Sequence, residues 1–375
     1  MPALRNAMSL VPEATPTRLG AEEASAVREA IDGVLREGPW IGGPAVSAFE
    51  EQFSDYLGAG HVVGCASGTD ALVLAMGALE LPPDSSVLVP PNDGGYAAIA
   101  ARMCGLEPVV MDVDAGTMAP TVGTAEGARR PSTSAVVLTH LHGDPVDLGE
   151  LDSWRRAHGL ALIEDCAQAH GARRDGIHVG STGDAAAFSF YPTKNLGAVG
   201  DAGAVVLRDA GTAARARSLA QYGWSPRPVI ALRGGRNSRL DPLQAAVLSA
   251  RLPYLDARNA RRREIIARYR TAAPGLDFAG DAHLGVVHHA VVRTDRRDDL
   301  VAHLAGAGVA TAIHYPLVVG AMPGLDIEGG VGATPVATRL ATRILSLPCA
   351  PELSDAEVGR VADSLSGWDD SQEAP

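Results

Sequence analysis

Short apolar runs without polar alternation recur through the first half of the chain, and each leads into a helical pattern. HVVGCA precedes DALVLAMGALEL, and SSVLVPP precedes YAAIAARMCGL. PVVMDVD and SAVVLTHLHG lead to the amphipathic LGELDSWRRAHG, and LALIEDC, DAAAFSFYP and GAVVLRD follow. A strand that is apolar on both sides must be covered on both sides. Strands of this kind alternating with helices dictate an α/β fold, with a mainly parallel sheet, right-handed crossovers and helices on its faces. The pattern holds over roughly residues 20–215.

Beyond it the character changes. The spacing predicts one long helix from Pro242 to Tyr269, containing QAAVLSARL and the basic RNARRREIIARY. HHAVVRT, the helix-like RDDLVAHLAGAG and AEVGRVADSLSGW then predict a smaller α+β unit. A length of 375 residues suits two domains. We expect a large α/β domain over 14–243 and a small C-terminal α+β domain over 244–375, bridged by the long helix.

The formal charge of -12 argues against a nucleic-acid partner. No apolar run is long enough for a membrane span, and no early basic-then-apolar stretch reads as a signal peptide. Cys65, Cys104, Cys166 and Cys349 are scattered without CxxC spacing. They read as reduced thiols of a cytoplasmic protein. The first dozen residues and the SQEAP tail are expected to fray.

Against this background one residue stands apart. The chain has 32 lysine plus arginine residues, and Lys194, in FSFYPTKNLGAVG, is its one lysine. An arginine-rich composition could leave a single lysine by chance. The chemical alternative is that this position needs an amine. Arginine stays protonated, whereas a desolvated lysine can lose its proton, attack a carbonyl and form a Schiff base.

Three other stretches bear on that reading. In CASGTDAL a strand ends at Ser67-Gly68-Thr69 and a helix begins. Free N–H groups, a glycine and hydroxyls there make either an anion site or a plain helix cap. In LALIEDCAQAHGA a strand ends in Glu164-Asp165. Side chains alternate, so the two carboxylates face opposite sides and one can enter a cleft at the strand's C-terminal end. The polar RNSRLDPLQAAVL opens the bridging helix. The glycines of GAVGDAG are spaced GxxGxxG and do not follow a strand into a helix, which excludes a nicotinamide fingerprint. His140 and His142 alternate, but without a cysteine or carboxylate cluster nearby they read as structural rather than metal-binding. A phosphate cradle, a carboxylate for a pyridine nitrogen and a lysine for an aldehyde together fit a pyridoxal 5′-phosphate site.

SGTDAL, EDCAQAHGA, FSFYPTKNLGAVGDAGAVV and NSRLDPLQAAVL resemble the DegT/DnrJ/EryC1/StrS sugar aminotransferases, fold type I enzymes dependent on pyridoxal 5′-phosphate. The resemblance runs from WIGGPAVSAFEEQF to SLPCAPELSD. It implies that Lys194 is the Schiff-base lysine, that Asp165 partners the pyridine nitrogen and that Gln168 lies beside the ring. It implies phosphate contacts from Gly68, Thr69 and Ser189. It also implies that Asn237 reaches the cofactor of a neighbouring subunit, hence a homodimer with shared sites. Where relatives often read NTFIAT this chain reads NDGGYAAIA, and Tyr96 is the candidate for stacking on the ring. HLHG replaces the common HLYG.

The activity so implied is transamination of a nucleotide-linked keto-deoxyhexose. An amino acid, L-glutamate by resemblance, would convert the cofactor to pyridoxamine 5′-phosphate, which would aminate the sugar. HYP at His314–Pro316 resembles relatives acting on 3-keto rather than 4-keto sugars. Lys194 argues against the branch that carries histidine there and performs deoxygenation. The alternatives are a cyclitol- or aminohydroxybenzoate-type member, or a non-catalytic regulatory one.

Overall fold

The computed structural model of the chain describes residues 10–280 and 284–369. Residues 1–9 and the SQEAP tail lie outside the described residues. Val11, inside the stretch expected to fray, is instead buried. It pairs with Val309 and packs beside Ile265, Tyr269 and Leu304.

The strands in chain order are β1 (His61–Cys65), β2 (Ser86–Val89), β3 (Glu107–Val110), β4 (Thr133–Thr139), β5 (Ala161–Asp165), β6 (Arg173–Arg174), β7 (Ile177–His178), β8 (Ala185–Ser189), β9 (Gly203–Leu207), β10 (Asp277–Phe278), β11 (Ala290–Arg293) and β12 (Ile344–Leu347). The main sheet has seven strands in the order β1-β9-β8-β5-β4-β2-β3. The pairs from β8 to β3 are parallel, and β9 runs antiparallel to both its neighbours. The mainly parallel sheet is therefore as the sequence predicts.

The helices are α1 (Ala21–Glu37), α2 (Pro44–Leu57), α3 (Gly68–Ala78), α4 (Tyr96–Met103), α5 (Val122–Ala128), α6 (Gly149–Ala157), α7 (Ala210–Leu219), α8 (Pro242–Arg251), α9 (Leu255–Ala272), α10 (Arg297–Gly306), α11 (Pro335–Ala341) and α12 (Asp355–Ser366). The absence of polar alternation in the strands has its reason in the packing. On β4, Val137 joins Leu72 and Met76 of α3, while Val136 and Leu138 join Leu151 and Trp154 of α6. On β8, Ala185 and Ala187 face α3, while Ala186 and Phe188 face Phe49 and Phe53 of α2. Each fully buried large side chain contributes about 1.5–3 kcal/mol.

After this sheet, β10, β11 and β12 form a three-stranded antiparallel sheet. Its core unites Ile265, Ile266 and Tyr269 of α9 with Leu300, Leu304, Val361 and Leu365. The single helix predicted from Pro242 to Tyr269 is in fact two. Leu252–Tyr254 forms a short 3₁₀ turn between α8 and α9. Pro253 lacks the N–H that an α-helix needs there, and its ring clashes with the preceding turn.

Candidate active site

Strand β5 carries two consecutive carboxylates to its end and turns them apart, as alternation requires. Glu164 is spent on structure. It accepts N–H groups from Gly180 (2.9 Å), Thr182 (2.9 Å) and Gly183 (2.6 Å), and it meets His140 Nε2 at 3.0 Å. Burial works against its charge, but His140 and these N–H groups outweigh burial and hold it below the usual carboxylate range. His140 is fully engaged, because Val146 N–H donates to its Nδ1 at 3.0 Å. His142 donates its backbone N–H to Gln168 Oε1 at 2.6 Å.

Asp165 points the other way, into a cleft. It accepts the Ala167 N–H at 3.0 Å and lies 3.4 Å from the Thr139 hydroxyl. Burial raises its pKa, against the pull of Ala167 N–H, Lys194 and His140. Lys194 lies across the same cleft. Burial draws its ammonium down to about 8, while Asp165 pulls upward. A lysine in this state keeps a usable fraction of free amine near neutral pH.

The turn that carries Lys194 links β8 to β9 and is anchored by its neighbour. Asn195 donates to Asn259 Oδ1 (2.8 Å) and to the Val286 carbonyl (3.1 Å), and its own carbonyl meets His288 Nδ1 at 3.0 Å. Asn259 in turn donates to the His170 carbonyl at 2.8 Å. His170 is buried between Phe188 and Phe190, which pushes its pKa down to about 3 and keeps it neutral.

The start of α3 lies against the end of β8. Ser67 caps α3 by accepting Asp70 N–H at 3.1 Å. The N–H groups of Gly68 and Thr69 find no acceptor among the described residues. A Cβ on Gly68 would lie 2.5 Å from Ser189 Cβ, and one on Gly203 would lie 2.3 Å from the Ser67 carbonyl oxygen. Only glycine permits these approaches, so Gly68, Thr69 and Ser189 meet at one spot. The sequence left a helix cap and an anion cradle as alternatives. The cap is present, and two donors remain beyond it.

Gln168 and Tyr96 also reach the cleft. Gln168 donates to the Tyr315 hydroxyl at 3.0 Å. The Tyr315 ring meets Tyr96 edge-on at 6.4 Å, and Gly94 packs against both. Asn237 is not brought into this group. It is exposed, and its backbone bridges Gln221.

Sequence reasoning missed Tyr315 and Asp93. Asp93 is buried, accepts N–H groups from Gly95 (2.8 Å) and Ala97 (3.0 Å), and so fixes the start of α4. Burial, with Asp165 nearby, raises its pKa to about 7. An aspartate followed by two glycines ahead of a helix is the turn signal that would have exposed it.

The profile of the DegT/DnrJ/EryC1/StrS aminotransferase family matches residues 21–366. The dTDP-3-amino-3,4,6-trideoxy-alpha-D-glucose transaminase of Streptomyces venezuelae is 40% identical over 347 residues, 90% of this chain and 91% of its own length. The UDP-N-acetyl-3-dehydro-alpha-D-glucosamine 3-aminotransferase of Acidithiobacillus ferrooxidans is 40% identical over 339 residues, 88% of this chain and 90% of its own. The crystal structure of S. venezuelae DesV in complex with a ketimine intermediate superposes with a TM-score of 0.93 at 37% identity, covering 98% of this chain and 100% of that one. By sequence and by fold, the chain belongs to the DegT/DnrJ/EryC1/StrS aminotransferase family and is a pyridoxal 5′-phosphate-dependent aminotransferase.

Proposed function

We propose that this enzyme transfers an amino group from L-glutamate to a nucleotide-linked keto-deoxyhexose, at C3 rather than C4. The observation that carries the reading is the pairing of Lys194, with its lowered amine pKa, and the buried Asp165 in one cleft. The choice of C3 is supported by the names of the two relatives, both of which place the amino or keto group at position 3. The His314–Pro316 stretch points the same way.

The residues fit pyridoxal 5′-phosphate. The open amides of Gly68 and Thr69, at a helix start beside the Ser189 hydroxyl, suit a phosphate. Asp165 is desolvated and makes no ion pair among the described residues, which suits a protonated ring nitrogen. When bound, the cofactor supplies an aldehyde that captures amines and a ring that accepts an electron pair. Lys194 would hold the aldehyde through its amine and, once free, would carry a proton to or from the substrate carbon. Asp165 would keep the proton on the ring nitrogen. Gln168, fixed between His142 and Tyr315, would border the cofactor ring, and Tyr96 would be the residue to stack on it.

We also infer a homodimer in which Asn237 serves the partner's site. Trp40, Ile41, Tyr191 and Ile230 are exposed, and a second copy would cover them. The four free cysteines support a reading of cytoplasmic residence. Among the described residues no helix is long and apolar enough to cross a membrane.

The test is to incubate the pyridoxamine 5′-phosphate-loaded protein with a panel of 3-keto and 4-keto nucleotide sugars and a keto-cyclitol, and to read products by mass spectrometry. Amination of 3-keto sugars is expected. Amination confined to 4-keto sugars or to the cyclitol would overturn the substrate reading.

A further inference from the structure

A half-enclosed chamber of about 160 Å³ opens beside Lys194. That is several times the ~30 Å³ that one water occupies in the liquid. Its walls come from the N-terminal segment (Glu13, Thr15), the lysine turn, α9 (Arg258, Arg262) and the histidines 288, 289 and 314.

The charges in its walls do not balance by pairing. Arg251 and Arg258 share Glu23, at 2.8 and 3.0 Å, and Arg258 also holds Glu352. These two carboxylates are thereby used up. Arg262, only 6% exposed, is left over. Among the described residues no carboxylate lies within ion-pair distance of it. Among the described residues its Nη1 reaches the carbonyls of Val287, His288 and Cys349 and the Cys349 sulfur, at 3.3–3.5 Å, and its buried Nε has no partner there. A buried guanidinium without an anion is costly to keep, so the site is suited to an anion that arrives from outside.

The ligand is not a metal ion. Glu13, His289 and His314 do approach one another. The two imidazoles, however, are stacked at 3.8 Å with only 8° between their planes. Parallel planes do not meet, so no one cation can lie in the plane of both rings. Both rings are neutral, their pKa values lowered by burial, so they add no charge to the chamber. Besides the Lys194 amine, that leaves Arg262 as the chamber's buried cation without a carboxylate partner among the described residues, and Glu13 as the opposing carboxylate, itself disfavoured in its ionised form by burial.

We propose that this chamber receives a carboxylate of the amino donor, with Arg262 as its charge partner and Glu13 as a built-in competitor. The inference rests on the reading of the chain as a transaminase with an amino-acid donor. It adds a residue that selects the donor rather than the sugar. The open space joins Arg262 to the Lys194 amine, so a donor held there by its carboxylate presents its carbon skeleton to the reacting group. Arginine suits the task because its planar fork matches a carboxylate.

The test uses glutarate, a dicarboxylate with no amine to react, titrated into the cofactor-loaded protein by calorimetry. Arg262→Gln should weaken glutarate about 10–100-fold, with Arg262→Lys in between. In turnover, Arg262→Gln should raise the KM for L-glutamate more than it lowers kcat. Unchanged glutarate affinity and donor KM in Arg262→Gln would overturn the proposal. Should that variant fail to fold, Glu13→Gln decides. It should bind glutarate more tightly, and equal or weaker binding would overturn the proposal. Glutarate binding that depends on Arg262, in a protein that aminates no keto sugar, would sink the sugar reading and leave the chamber standing.

Discussion

Asn195 donates a 2.8 Å hydrogen bond to Asn259 and so ties the turn that carries Lys194 to helix α9. The second amide hydrogen-bond partner of Asn259 is the His170 carbonyl, in the loop that follows Asp165. One buried asparagine therefore sets the spacing between the amine and the carboxylate.

Asn259→Ala should leave a buried donor and a buried acceptor unmatched and cost about 1–3 kcal/mol of stability. Urea unfolding of the purified variant measures this. An unchanged midpoint would show that the tie is idle.

Lys194 is the one side-chain amine in the sequence. Borohydride reduction of the cofactor-loaded protein should therefore fix the cofactor on a single internal peptide, seen by mass spectrometry. Lys194→Arg should give no such adduct, because guanidinium does not deprotonate usefully. Label found only at the N-terminus would contradict the assignment.

The lowered amine pKa has a consequence for stability. Between pH 8 and 10.5 the unfolded chain still holds the lysine proton that the folded chain has released. The unfolded state binds more protons across that window, so stability from this residue rises with pH through it and is lost as pH falls toward 8. Lys194→Met should flatten that part of the profile. The rate of cofactor attachment should also climb through pH 8 in the wild type, followed by absorbance.

Asp165→Asn should keep the fold and lose turnover on the order of 10²–10³-fold, since an amide cannot hold a pyridinium proton by charge. The absorption spectrum of the bound cofactor should shift in parallel. Near wild-type rates would reduce Asp165 to a turn-capping role.

Mixing Lys194→Ala chains with Asn237→Ala chains should restore part of the activity lost in each, if sites are shared between subunits. Sedimentation of the wild type checks the premise. A monomer that binds cofactor and turns over would remove it.

What the sequence made legible follows from locality. The strands were readable because both faces of β4 and β8 meet helices, so no polar position interrupts them. Asp165 was readable because it sits where a strand ends, next to turn residues, and Lys194 because it is the one lysine of the sequence. Tyr315 and Arg262 were not. Tyr315 meets Gln168 from 147 positions away, and Arg262 resembles its arginine neighbours until packing strips it of partners. The break at Pro253 was hidden by the helical spacing on both sides of it, although the proline itself was in view. His142 drew interest through its alternation with His140, but its link to the site runs through its backbone N–H.

In the seven-stranded sheet β9 alone runs against the other six strands, and this makes the Lys194 segment the tip of a hairpin rather than a crossover. Both ends of the tip are clamped, with Phe190 N–H bonded to the Ala202 carbonyl and Ala198 N–H to that of Phe190. A residue inserted into a crossover loop can bulge outward without disturbing the strands it joins. An extra residue between Ser189 and Gly203 can bulge outward near the exposed Tyr191 or Val199, but not at residues 195–198, next to the reactive nitrogen, which are buried. Chain length is therefore held most tightly over residues 194–198, where any added atom would displace the amine that does the chemistry.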